Sequence, residues 1–379
     1  MNTILTIAIA TTLLTSAVIV LRLGGSLCEG RMPSSLFAFS AILFTSGLDV
    51  GLIMFPLTEF PVYEEEAAYA FANPLAIEFG MWGFLVWAFY FLTTFYFCRI
   101  EPHVQLFELP AVKFVNNAVV IATCAFTGYL FLSYLPSYVE GISPVLRYGL
   151  VVVVVMCAVF SSTDIRYVKV LSIASTWLFF ALIGFAWLNS DMGIRGFTSS
   201  AVNIGEYFTN IHQFVAPLSD YHAFYLFWWF SWSIMIGQFV SRFLSPMKIR
   251  NLLVALLVIP SIPIALWFSV LYYYHTEQLE ISGTMNLCLV VVGVIFVINS
   301  LDSLIRLYTT NLGITADALG RRNYILGNGA AMLTLIMLYQ FTPFEIEWVG
   351  LVVIALYSCI YVLLFQRRAQ LQAVVTAGA

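Results

Sequence analysis

Read only for apolar and polar positions, the chain is a series of apolar runs separated by short polar joints. The runs cover about 3–21, 34–58, 76–98, 114–135, 147–162, 167–188, 221–244, 249–273, 284–308, 324–342 and 345–366. At a rise of about 1.5 Å per residue, runs of roughly 18–25 residues predict membrane-crossing helices rather than barrel strands. The joints sort by sign. Arg22, Arg31, Arg99, Lys113, Arg166, Lys169, Arg242, Lys248, Arg250, Arg306, Arg321, Arg322, Arg367 and Arg368 fall on one side of an eleven-crossing path. Only Arg147 and Arg195 of the 16 basic residues fall on the other. The positive-inside rule predicts that the richer side is cytoplasmic, with the N-terminus outside and the C-terminus inside. Between the sixth and seventh runs, Ile204, Tyr207, Phe208, Ile211 and Val215 recur at helical spacing and predict a helix along the outer interface.

Composition supports this pattern. Hydrophobic residues make up 61% of the 379 and charged residues 9%, against about 25% charged in soluble domains. So few charges cannot cover a water-facing surface, which predicts an integral membrane protein. The opening run lacks a basic leader and a small-residue cleavage site, so it reads as a retained helix with Arg22 at its inner end. Cys28, Cys98, Cys124, Cys157, Cys288 and Cys359 are scattered, as are His103, His212, His222 and His275. They have no zinc, haem or redox spacing, and no phosphate loop or nucleophile elbow is present. The expectation is no enzyme, no bound cofactor, no metal beyond a coupling ion and no nucleic-acid partner.

Four stretches are unusual for plain lipid anchors. "TSGLDVGL" puts two glycines and the acid Asp49 inside a crossing, which reads as an interrupted, ion- or solute-binding helix or as a packing face with Asp49 protonated. "GMWGFLVWAFY" brings Trp82 and Tyr90 to nearly one helical face, with Trp87 between them. "FYLFWWFSWS" lines up Phe224, Trp228 and Trp232 as a stripe, with Trp229 about 100° around the helix. Such a stripe is either packing or the wall of a cavity holding a quaternary ammonium by cation–π attraction. "FVINSLDSLIR" offers Asn299, Ser300, Asp302 and Ser303 to a hard cation, or pairs Asp302 with Arg306 as interhelical glue. On the outer side, Glu59, Glu64, Glu65 and Glu66 read as a solvated acidic loop or as a cation-concentrating mouth.

In this order, the stretches resemble the betaine/choline/carnitine transporter family over about Leu21 to Leu319. "FYLFWWFSWSIMIGQFVSRF" is close to the family's tryptophan-rich signature, and "WGFLVWAFY" fits its WGxxxWxxY spacing. "TSGLDVGL" resembles its glycine-rich core, "GEYFTNI" the start of its outer interfacial helix, and "FVINSLDS" its sodium-site helix. The resemblance implies an all-α, leucine-transporter-type fold of five-plus-five inverted repeats and one N-terminal helix. Its divisions are the N-terminal helix and loop at 1–33, repeats at 34–189 and 221–366, an outer loop at 190–220 and a tail at 367–379 that frays. The resemblance also puts the interruptions in the helices carrying Asp49 and the tryptophan cluster.

It implies that Trp82, Tyr90, Phe224, Trp228, Trp229 and Trp232 bind a quaternary-ammonium or zwitterionic solute. Thr45 and Leu48 carbonyls, with Asn299 and Ser300, form a sodium site, and Asp49 is a candidate for proton coupling. Asp49 stands where the family has glycine, Asn299 where it has threonine, and the family's first helix and long tails have no counterpart. The implied function is a bacterial inner-membrane secondary transporter driven by Na+ or H+, surrounded by lipid and assembled as a trimer. The alternative is a transporter-derived subunit that scaffolds or senses for a membrane partner.

Overall fold

The fold is that of a computed structural model describing residues 1–46 and 50–371; Leu48 and Asp49, both expected at an ion site, lie outside these. It is all-α, apart from a two-residue antiparallel pair, β1 (Leu27–Cys28) with β2 (Met247–Lys248). The helices in chain order begin with α1 (Asn2–Leu23), α2 (Leu36–Ser46), α3 (Val50–Met54) and α4 (Pro56–Glu65). Next come α5 (Pro74–Trp82), α6 (Trp87–Phe95), α7 (Glu101–Val104), α8 (Pro110–Tyr138), α9 (Pro144–Ser161) and α10 (Ile165–Asn189). The loop helices α11 (Ile194–Val202) and α12 (Gly205–Thr209) precede α13 (Asp220–Phe243), α14 (Ile249–Val258) and α15 (Ser261–Thr276). Last are α16 (Gly283–Leu312), α17 (Ala316–Leu319), α18 (Arg321–Phe341) and α19 (Ile346–Gln366).

Among the described residues ten helices, counting Pro74–Val104 and Ile249–Thr276 as continuous, are long and apolar enough to cross a membrane. The broken run α2–α4 makes the eleventh crossing. At its start the Ser34 N–H donates to the Phe243 carbonyl, and at its far end Glu64 meets His275 at 2.9 Å. The arginine-rich joints gather at one end of the bundle, the basic end. Glu59, Glu64 and Glu206 mark the opposite, acidic end. The first helix buries only Leu5, Ile9, Thr12 and Ser16, a single stripe, and leaves its other faces to lipid.

The breaks differ from expectation. α13 runs unbroken through the tryptophan cluster, which overturns the interruption expected there. No Gly or Pro lies between Asp220 and Ile236, so beyond the first turn every amide in this stretch can pair within the helix. The third crossing breaks instead: Gly83 takes an extended conformation, Phe84 has a φ of 41°, and a tight turn leads into α6. The eighth breaks between α14 and α15, at Pro260. The two breaks touch, since the Phe84 N–H donates to Ser261 Oγ at 2.8 Å.

The expected interfacial helix is instead two short helices and a tight turn over 211–215. It folds onto the start of α5, where Asn73 donates through its side chain to the Asn203 carbonyl at 2.9 Å and through its N–H to Glu206 at 2.7 Å. Tyr207 is buried beneath it, while Phe208 stays exposed.

Candidate solute and ion site

Helix breaks in a membrane core leave carbonyls without partners, and each costs several kcal/mol if nothing donates to it. Indoles fill that need here. Pro56 has no N–H, so the Leu52 carbonyl one turn earlier cannot be paired within the helix, and Trp267 Nε1 donates to it at 2.9 Å. At the Gly83 break, the Leu85 N–H turns to the Tyr207 hydroxyl at 3.2 Å, and Trp229 Nε1 takes the freed Met81 carbonyl at 2.7 Å. Trp87 Nε1 donates to the Trp82 carbonyl at 3.1 Å. Leucine could fill the same volume but could not pair these carbonyls.

The rings form one cluster. Trp82 presents its edge to Trp228 and Trp229, with centroids at 5.4 and 5.0 Å. Trp228 and Trp229, neighbours in sequence, lie nearly parallel at 4.9 Å. Phe224 reaches Trp228 at 6.0 Å, and Phe55 leans on Trp82 at 6.2 Å. Gly51 makes room for Trp82: a Cβ there would stand 2.5 Å from the indole ring. Tyr90 meets Trp87 edge-on at 5.0 Å, and Trp232 is buried one turn beyond Trp228. The indole N–H groups of Trp82, Trp228 and Trp232 are buried without an acceptor.

The structure therefore brings Trp82, Phe224, Trp228 and Trp229 together, but as packed rings. A trimethylammonium between two ring faces needs centroids about 9 Å apart, since each cation–π distance is roughly 4–6 Å. At 5.0 Å, Trp82 and Trp229 exclude it, so a ligand enters only if Trp82 moves off α13. From the basic end, a polar cavity of about 570 Å³ lined by Arg31, Glu101, Asn116, Gln238 and Arg242 approaches this region. Gln238 lies six residues past Trp232, about 9 Å along the helix.

Three residues expected at the ion site converge partly. Asn299 Nδ2 donates to the Thr45 carbonyl at 3.4 Å, and Ser172 Oγ donates to Asn299 Oδ1 at 3.5 Å. Ser300 is fully buried beside them. Asp302 does not join: it pairs with Arg306 at 3.3 Å and accepts from Ser161 Oγ at 3.1 Å, the interhelical-glue arrangement. Among the described residues no group of three or more His, Cys, Asp or Glu side chains could hold a metal ion.

The acidic loop is divided by the fold. Glu64 meets His275, and Glu65 and Glu66 are exposed, but Glu59 is only 3% exposed. Tyr63 and Tyr225 donate to Glu59 Oε2 at 2.8 and 3.0 Å, Tyr225 also reaches Oε1 at 2.8 Å, and Tyr221 donates to Oε1. Sequence reasoning missed Trp267, Tyr207 and Glu78. For Glu78 a signal existed, because it is a lone acid inside an apolar run, the same feature that singled out Asp49.

Residues 118–274 match the family model described as BCCT, betaine/carnitine/choline family transporter. Over that stretch the chain is similar to that family. It is similar to the glycine betaine transporter OpuD of Bacillus subtilis, at 25% identity over 66% of this chain and 57% of the relative. It is also similar to an uncharacterized transporter of Haemophilus influenzae, at 29% identity over 64% of this chain and 42% of that one. A glycine betaine transporter of Acinetobacter baylyi matches at 22% identity over 69% and 50% respectively. The chain thus spans about half the length of the curated relatives it matches. Its long apolar helices make it an integral membrane protein.

Proposed function

We propose that this chain moves a quaternary-ammonium or zwitterionic solute of the betaine, choline or carnitine type across the membrane by alternating access. The observation that carries this reading is the aromatic cluster at the meeting of broken helices. Trp82 stands at the end of the broken α5 and wedges against Trp228 and Trp229 of the continuous α13. Parting that wedge opens ring faces to a cation, and the unpaired indole N–H groups of Trp82, Trp228 and Trp232 suit a carboxylate on the same solute. Curated relatives named as glycine betaine transporters agree with this class.

The packing supports inverted repeats at 34–189 and 221–366. The second, third and fourth members of the two sets lie against their counterparts: α5–α6 with α14–α15, α8 with α16, α9 with α18. A two-fold relation between the halves has this consequence, and the breaks at Gly83 and Pro260 fall at similar distances from their helix starts. In this reading the basic end is cytoplasmic and the acidic end faces outward. The cluster is closed, and the polar cavity under it belongs to the inner pathway. Thr45, Leu48, Asp49, Asn299 and Ser300 form the ion-coupling region.

Calorimetry with betaine, choline and carnitine tests the solute, and proteoliposome counterflow tests movement. Binding that disappears in Trp229→Ala together with counterflow is the expected result. Binding without counterflow makes the chain a ligand sensor, and no binding of any quaternary amine leaves a scaffold. Flux that ignores both sodium and pH gradients removes ion coupling.

A further inference from the structure

Glu78 lies in α5, one helical turn before Trp82, and is completely buried. Neither of its carboxyl oxygens makes a hydrogen bond, and the Trp82 indole N–H beside it is also unpaired. Its polar neighbours are Glu59, Tyr63 and Trp82, which surround it without reaching hydrogen-bond geometry. The elements packed around it present Tyr69 after α4, Tyr134 and Tyr138 of α8, and Tyr221 and Tyr225 of α13. From α15 come Tyr272 and His275, the latter paired with Glu64; from α12, Glu206 is bound to the Asn73 N–H. His222 uses Nδ1 to accept from the Leu218 N–H at 3.1 Å. None of these groups is a lysine or arginine.

Two carboxyls in so dry a place, with no cation, cannot both be charged; the stable state holds one negative charge and one proton. Hydrogen bonds decide the distribution. Three phenols donate to Glu59, as a carboxylate requires, while nothing donates to Glu78, which as an acid supplies its own O–H.

We propose that Glu59 and Glu78 form a proton-binding pair, with the proton on Glu78, at the acidic face of the aromatic cluster. Loss of that proton puts a second negative charge one turn from Trp82. A cationic ammonium entering the cluster favours that charge, so cation and proton oppose each other. This linkage rests on the solute-site reading; the proton pair itself does not.

Infrared titration of the purified protein in detergent, between about pH 5 and pH 9, tests the pair. The expected wild-type result is a protonated-carboxyl band that fades as pH rises, disappears in Glu78→Gln and persists in Glu59→Gln. A band unchanged in Glu78→Gln, or lost in Glu59→Gln instead, overturns the assignment. Choline affinity is expected to rise with pH by up to about tenfold per unit in the wild type and to stay flat in Glu78→Gln. An identical profile in both overturns the linkage. If no quaternary amine binds while the band behaves as described, the solute reading fails and the proton pair stands.

Discussion

The indole N–H of Trp229 donates to the Met81 carbonyl at 2.7 Å, across 148 residues of chain. This bond joins the continuous α13 to the broken α5 and holds Trp82 against the cluster. Trp229→Phe keeps most of the ring volume but leaves the buried carbonyl unpaired. The expected loss is about 1–3 kcal/mol, read as a lower melting temperature in detergent. Trp229→His, if its ring N–H reaches Met81, recovers part of it.

The Trp267 bond to the Leu52 carbonyl has a built-in rescue. Trp267→Phe is expected to destabilise by about 1–3 kcal/mol. Adding Pro56→Ala restores a backbone N–H one turn after Leu52 and returns part of the loss. A double variant no more stable than Trp267→Phe, measured by thermal unfolding, rejects the carbonyl-pairing account.

Gly51→Ala places a methyl 2.5 Å from the Trp82 ring. Because α3 and the ring must separate, the closed cluster loses about 1–3 kcal/mol. Tryptophan fluorescence is the readout: Trp82 shifts toward a wetter emission. If quaternary amines bind the parted cluster, their affinity in Gly51→Ala rises rather than falls.

The Asn299 contact to Thr45 gives a sodium test that needs no transport assay. If oxygens at this site hold Na+, replacing KCl with NaCl raises the melting temperature through linkage. Asn299→Ala then abolishes the difference. Equal melting in both salts argues against a sodium site here.

Tyr69 lies between crossings and is bonded to Ser219 at 2.5 Å; burial pushes its hydroxyl up to about 12. Its folded pKa is therefore above the unfolded value of about 10. This group stabilises the fold fully below about pH 10 and stops doing so as pH rises through about 12. Tyr69→Phe is expected to flatten the alkaline fall in melting temperature over that window.

Several elements were legible in the chain itself. The path of eleven crossings follows from run length, because a bilayer core demands about 20 apolar residues from any helix that spans it. Phe224, Trp228 and Trp229 were identified from their crowding in one run, and they do pack together. The position of the breaks was less legible. The resemblance puts interruptions in the helices carrying Asp49 and the tryptophans; Asp49 lies outside the described residues, α13 is unbroken, and the third crossing breaks at Gly83 instead. A glycine permits a break without requiring one; Ser261 and Tyr207, from distant segments, supply the acceptors for the Phe84 and Leu85 amides that make this one stable.

The sequence alone determined that the chain lives in a membrane, how often it crosses and which residue types are anomalous inside it. Those properties depend on transfer free energies that each segment carries by itself. Only the tertiary structure decided that Glu59 is buried rather than solvated, that Glu78 faces it, that Asp302 belongs to Arg306, and that the rings are closed on one another. Each of these depends on which distant donor, charge or ring arrives alongside, and a linear pattern does not encode that meeting.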